Sequence, residues 1–473
     1  MRKLFRTPDR EEILTGHALR TMAKIGFPAV LSSVVFTLYN LADAAWLGRL
    51  PETGAAALAA IQISWPFIWA ILAFVTGFGS AAVTALVAQH IGAGQPREAN
   101  YAMNQLFTVS VISGFALGAA GYILTPWIVS LLIADLSVAA EAAVYLKVIF
   151  LGLPTMMIPG LFFHTLSATG DTVTPLLING GGTIFNVILD AALILGWGPF
   201  PRMGILGAAI ATVASQGVAT ILFIALFRRG IGELHLDRQA LRLRMSWMWK
   251  ALRIGFPAGA GSSLMALGFM VLMLLIGRLD NAKYALAGYG AADRLFGLLF
   301  IATNGLGIGI TTMIGQALGA GLKDRARDLM KRGVRALFVI LIAETILIYF
   351  LRTPLVSFFL PFEPDAVREG TRFIQLFSAG MPLLGVFFAA EAVYRGSGWN
   401  LPTMILGISR LAIRLTIGWL LAFLVGMQSD GIWIGMSASN VICGLAAIPL
   451  LASRRWQRAR IHTNDDAREM ANT

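Results

Sequence analysis

Long apolar runs separated by short polar breaks dominate the chain. They fall near residues 18–48, 56–91, 97–125, 137–169, 172–196 and 204–229, and again near 247–278, 284–320, 325–351, 366–396, 401–426 and 431–453. A helix needs about 20 mostly apolar residues to cross a bilayer, so the pattern predicts an all-α membrane protein of 12 transmembrane helices. The runs follow one another too closely to leave room for a large soluble domain.

The two sets of six resemble each other. Ile25-Gly26-Phe27-Pro28 returns as Ile254-Gly255-Phe256-Pro257, and Ile91-Gly92-Ala93-Gly94 as Leu318-Gly319-Ala320-Gly321. Ser167-Ala168-Thr169-Gly170 aligns with Arg395-Gly396-Ser397-Gly398, and Gly204-Ile205-Leu206-Gly207 with the segment from Gly431 to Gly435. An offset that stays near 228 residues marks an internal repeat. Six spans is an even number, so both copies enter the membrane from the same side and are related by an axis along its normal. The expected organisation is a six-helix lobe over residues 1–229, a cytoplasmic linker over 230–246 and a second six-helix lobe with a short basic tail over 247–473. The linker carries Glu233, Asp237, Arg238, Arg242 and Arg244 and reads as a solvated tether or a partial surface helix.

Composition agrees: 57% of residues are hydrophobic and 13% charged, too little polar surface for a water-exposed globule. The formal charge of +12 raises the question of nucleic acid. With both termini cytoplasmic, however, there are roughly three Lys or Arg on that side for each one outside, which is the topological bias of a membrane protein. The basic charge then needs no nucleic-acid partner. Residues 1–24 carry Arg2, Lys3, Arg6, Arg10, Arg20 and Lys24 before a full-length span, so no cleaved signal peptide is expected. Cys443 is the single cysteine and rules out an internal disulfide.

Ionisable groups at membrane depth must be protonated, paired or bound to a cation. In the first half these are Asp43 and Asp190. Tyr39 and Asp43 lie four residues apart on one helix face, as do Asn186 and Asp190, and Thr212 adds a hydroxyl on span six. Such oxygen donors suit sodium, and paired carboxylates also share a proton readily. The repeat supplies a control: Asp43, Asn186, Asp190 and Thr212 correspond to Leu272, Arg414, Gly418 and Asn440. The acidic cluster exists in one copy only, which favours function over inherited structure. The second half instead carries Asp293 and Arg294, Glu344, Glu391, Arg410 and Arg414. These read first as charge pairs tying span eleven to its neighbours, with Asp293, Glu391, Arg410 and Arg414 as the alternative secondary or substrate-contacting set.

Other features have simpler readings. Gly114-xxx-Gly118 and Gly315-xxx-Gly319 allow close helix approach, and Gly305-Leu306-Gly307-Ile308-Gly309 follows no strand, so it is no dinucleotide loop. Phe36, Trp65, Trp69, Phe163 and Met265 are candidates to line a cleft for flat apolar compounds. The five histidines lack metal-pair spacing, and neither a phosphate-binding loop nor a nucleophile, base and acid set is present. Neither enzyme chemistry nor ATP-driven transport is expected, and no cofactor.

With its two six-span halves, the Ile-Gly-Phe-Pro starts, Gln89-His90-Ile91-Gly92-Ala93-Gly94, Gln316-Ala317-Leu318-Gly319-Ala320-Gly321 and Ser167-Ala168-Thr169-Gly170-Asp171, the chain resembles the multidrug and toxic compound extrusion (MATE) family over residues 15–455. It looks most like the branch of DNA-damage-inducible and archaeal members. That resemblance implies a monomeric inner-membrane antiporter that expels small organic, often cationic and amphipathic, compounds against H+ or Na+. Its cation site would use Tyr39, Asp43, Asn186, Asp190 and Thr212. The other main bacterial branch uses acids in spans seven and ten, and span seven here has none. A lipid or lipid-linked oligosaccharide flippase is the alternative the same resemblance leaves open.

Overall fold

The computed structural model describes residues 6–47, 54–132 and 136–458; the side chains of 38–45, 54–59, 61–67, 131–132 and 136–137 are outside that description. A short helix α1 (Arg10–Thr15) precedes α2 (Ala18–Leu47), α3 (Gly54–Gly92), α4 (Pro96–Leu132), α5 (Leu136–Leu151), α6 (Leu153–Thr169), α7 (Val173–Leu195) and α8 (Gly204–Arg229). After the linker come α9 (Met245–Ile276), α10 (Ala282–Gly319), α11 (Lys323–Phe359), α12 (Pro364–Phe377), α13 (Met381–Ser397), α14 (Leu401–Trp419) and α15 (Gln428–Ala452). Among the described residues eleven helices are long and apolar enough to cross a membrane, or 12 if the bent pair α5 and α6 forms one span. Large side chains such as Ile123, Phe350 and Phe358 are exposed on the outside, as a hydrocarbon solvent requires.

The expected single span at 137–169 is broken. Its axis bends by 52° between Leu151 and Leu153, where Gly152 packs so closely on Val213 of α8 that a β-carbon would collide and Pro154 cannot supply a backbone donor. Span ten is interrupted by a 3-10 turn at Ser378–Gly380, and span eleven ends in a π turn at Leu420–Leu424.

Two of the repeated segments are helix stops. Gly94, Gly170, Gly321 and Gly398 have φ of +72°, +100°, +76° and +79°, a region that glycine enters at little cost. At each stop the next amide reaches back to close the last turn: Gln95 N to His90 O, Asp171 N to Leu166 O, Leu322 N to Ala317 O and Trp399 N to Tyr394 O. Asp171 then caps the start of α7, accepting from the amides of Val173 and Thr174, each at 3.0 Å.

The linker is neither a tether nor a helix. Residues 230–244 run as a strap along α4, whose polar side chains satisfy the strap's backbone. Asn104 donates to His235 O at 2.9 Å and accepts from Asp237 N at 3.0 Å, Gln105 donates to Ala240 O and Arg242 O and accepts from Arg244 N, and Thr108 donates to Leu241 O.

The two six-helix lobes meet along two long seams, α2 on α10 and α3 on α9. Glycines set the spacing. A β-carbon at Gly305 or Gly309 would press on the α2 backbone at Gly26 or Met22, so the Gly-x-Gly-x-Gly run is a helix-crossing surface. Where α3 and α10 end, the packing is reciprocal: Gly92 abuts the Gln316 carbonyl and Gly319 the Gln89 carbonyl. The two glutamine side chains cross the seam in the same pseudo-two-fold manner. Gln89 donates to Gly396 O at 3.1 Å and Gln316 to Ala168 O at 2.8 Å, each capping a helix end of the opposite lobe. Thr312 adds a bond to Ser167 O at 2.9 Å.

A second device spans this face. Asp9 caps α1 by accepting from Glu12 N, and Ile13 of α1 is fully buried. Arg10 donates to the terminal carbonyls of α3, Ile91 O at 3.0 Å and Gly92 O at 2.7 Å, while Arg325 of α11 donates to Gly16 O at 2.5 Å. Lys24 pairs with Glu12. Residues 9–16 therefore bridge both lobes.

Candidate functional site

In the first lobe α7 packs between α2 and α8. It carries Asn186 and Asp190 on one face, 1% and 0% exposed, and α8 contributes Thr212, 3% exposed. Neither the amide nitrogen nor the oxygen of Asn186 has a hydrogen-bond partner among the described residues. A buried amide left in that state costs about 1–3 kcal/mol, and a hard cation or water held by its oxygen would remove the cost. Tyr39 and Asp43 lie in α2, but their side chains are outside the described residues, as is that of Trp65. The donor set of Asn186 oxygen, Asp190 carboxylate and Thr212 hydroxyl suits Na+ or a proton. Among the described residues no group of three His, Cys, Asp or Glu is placed to hold a transition metal.

The second lobe departs from expectation. No ion pair among the described residues ties α14 to another helix. Arg410 and Arg414, 7% and 4% exposed, both donate to one oxygen, Asn440 Oδ1, at 3.1 and 3.4 Å. Their guanidiniums lie 4.6 Å from the Phe387 ring centre and 5.8 Å from that of Phe269. Glu391 pairs within its own helix, with Arg395 at 2.5 Å. Asp293 accepts from the Tyr289 hydroxyl at 3.2 Å, Arg294 is exposed, and the Glu344 Oε2 atom is buried without a partner.

Two cavities occupy equivalent places in the lobes. One of about 190 Å³ lies among α2, α6, α7 and α8, with Phe36, Pro159, Phe163 and Gly182 on its wall. The other, about 420 Å³, lies against the seam with α3, and its wall at the corresponding positions is Met265, Phe387, Glu391 and Arg410. Phe36, Trp69, Phe163 and Met265 thus line cavities, as expected of cleft residues. Among the described residues the first cavity has an uncharged wall; the second holds Glu391, Arg395, Arg410 and His164. Sequence reasoning passed over His164 and the crossing glutamines. The glutamines stood at equivalent places in the repeat, which was the available signal.

Residues 28–192 and 257–420 match the sequence profile of the MatE family, once in each lobe. The chain belongs to the MatE family. The relatives this MatE chain resembles include the probable multidrug resistance protein NorM of Thermotoga maritima, 27% identical over 95% of this chain and 96% of the other. The FAD transporter of Shewanella oneidensis is also 27% identical, over 97% of this chain and 99% of the other. Among solved structures, a multidrug resistance MATE family transporter of the MOP superfamily in an outward-facing conformation superposes with a TM-score of 0.85 at 21% identity, covering 96% of this chain and 100% of that one. A MatE protein is a multi-pass membrane transporter rather than an enzyme, and the fold here is the MATE fold.

Proposed function

We propose that this MatE protein is a secondary antiporter that expels small organic compounds from the cytoplasm in exchange for H+ or Na+, with the first lobe as the coupling site. The observation that carries the reading is Asn186: a buried amide without a hydrogen-bond partner among the described residues, one helical turn from the buried carboxylate of Asp190, in the lobe whose counterpart carries Leu272 and Gly418 at the two acid positions. Loading a cation between Asp43 on α2 and Asp190 on α7 changes the charge buried between those helices, and with it the preferred packing of α2 against α10. The multidrug and FAD transport named for the relatives supports small organic cargo.

In this reading both termini, the linker strap and the Gln89/Gln316 face are cytoplasmic, the chain acts as a monomer in the inner membrane, and residues 1–229 and 247–473 are its moving halves. The outward-facing conformation of the similar solved structure supports a chain closed on the cytoplasmic side. The test is reconstitution in vesicles with an imposed proton or sodium gradient, following efflux of ethidium. The parent should transport only with a gradient, and Asp43→Asn and Asp190→Asn should lose at least 90% of that rate, about a tenfold loss. Equal rates in parent and variants would remove the first lobe from coupling.

A further inference from the structure

We infer that the 420 Å³ cavity is an anion subsite, in which Arg410, backed by Arg414, receives the phosphate, phosphonate or sulfonate group of an amphipathic solute whose apolar part lies along Phe387, Phe388 and Trp69. The inference rests on the transport reading for its biological sense, but not for its geometry.

Two buried guanidiniums, one helical turn apart, repel each other and lose their hydration, a cost that membrane and protein interiors tolerate only when the charges are matched. Here they are not matched. Both lean on the single oxygen of Asn440, and the Nε atoms of both are buried without a partner among the described residues. Aromatic faces supply part of the missing attraction. The acids that might have supplied the rest are engaged elsewhere, Glu391 with Arg395 and Asp293 with Tyr289. On the cavity wall two guanidiniums, Arg395 and Arg410, accompany one carboxylate, Glu391, which leaves one positive charge in excess. Of the two arginines that share Asn440, Arg410 is the one that reaches the cavity wall. It offers a planar set of N–H donors, the geometry that phosphate and sulfonate oxygens accept in pairs.

The pseudo-symmetry strengthens the case. Arg410 stands where the first lobe has Gly182, and Arg414 and Asn440 where it has Asn186 and Thr212. The same shell that presents oxygen to a cation in one lobe presents nitrogen to an anion in the other. An amphipathic solute with an anionic group can therefore be held in the second lobe while the coupling cation occupies the first, with no competition for one site.

The experiment uses a matched pair of probes that share one aromatic ring system and differ by a phosphate: riboflavin and riboflavin 5′-phosphate. Binding to the full chain in phosphatidylcholine nanodiscs is read from flavin fluorescence at equilibrium, without any gradient, so a failure of coupling cannot imitate a failure of this inference. The phosphate form should bind about tenfold or more tightly than riboflavin. Arg410→Met should reduce that preference to less than about twofold, and Arg410→Lys should retain part of it. Should Arg410→Met fold poorly, phenyl phosphate and phenol offered as competitors to the unmodified chain decide the matter, because only the phosphate should displace the flavin phosphate. Repeating the measurement with half the lipid replaced by phosphatidylglycerol separates two sources of the anion. Loss of flavin phosphate binding there identifies a lipid headgroup as the natural occupant, and unchanged binding identifies a soluble anion. Equal affinity for the two flavins, a preference that survives Arg410→Met, or equal competition by phenol and phenyl phosphate would overturn the inference.

Discussion

Replacing both Gln89 and Gln316 by methionine tests the crossing of the seam most directly. Methionine keeps the length and much of the volume of glutamine but cannot donate, so the Gly92 and Gly319 packing survives while two hydrogen bonds, of 3.1 and 2.8 Å, disappear. Both glutamines are fully buried, and the carbonyls of Gly396 and Ala168 sit at helix ends where the intrahelical ladder supplies no donor of its own. Stranding each costs about 1–3 kcal/mol, and only while this face is closed, because water hydrates both carbonyls once it opens. The double variant should therefore shift the balance toward opening by a factor between about 30 and about twenty thousand, at about 1.4 kcal/mol per tenfold. Spin labels at the exposed positions Arg97 and Asp324, in a Cys443→Ala background, report the separation of the α3 and α10 ends by pulsed electron resonance. The parent should show one short distance; the double variant should add a longer one, with each single variant between them. Distance distributions that coincide for parent and double variant would refute the claim that these bonds hold the face shut.

Asn186→Leu should raise the melting temperature in detergent, because it removes an unpartnered buried amide worth about 1–3 kcal/mol, while it abolishes gradient-driven efflux; a fall in melting temperature would mean the amide is satisfied within the protein. Asn104→Ala removes two bonds to the linker strap, a loss of about 1–3 kcal/mol, so trypsin should cut after the exposed Arg238 about tenfold faster or more, and an unchanged digestion rate would mean the strap is held by other contacts. Gly319→Val places a branched side chain against the Gln89 backbone, which cannot yield. It should reproduce the long spin-label distance of the glutamine double variant, and a closed distance instead would mean the seam adapts around it.

Much of this architecture is legible in the sequence because the bilayer imposes a crude code. Runs of about 20 apolar residues, the recurrence of Ile-Gly-Phe-Pro and the paired Gly-Ala-Gly stops all follow from local requirements that neighbouring residues must satisfy. The break at Gly152 is different: the chain there reads Phe150-Leu151-Gly152-Leu153-Pro154, apolar throughout, and the bend arises from packing on Val213, some 60 residues further on. The linker misled for a similar reason. Its own charges suggest solvation, and the groups that organise it, Asn104 and Gln105, lie inside an apolar span where they looked incidental. For the candidate site, hydropathy flags Asp190, Arg410 and Arg414 as costly, yet it says nothing of what surrounds them. Charge balance in the second half suggested pairs; the fold instead gives both arginines a shared amide and aromatic faces, an arrangement that depends on α9, α13 and α15 converging on α14.

The bridge made by residues 9–16 bears on the order of assembly. These residues leave the ribosome before their partners: Arg10 docks on carbonyls 81 and 82 positions later, and Gly16 receives Arg325 across 309. Ile13 therefore has no complete socket until more than half of the chain has been inserted, and its burial marks the end of biogenesis rather than the beginning.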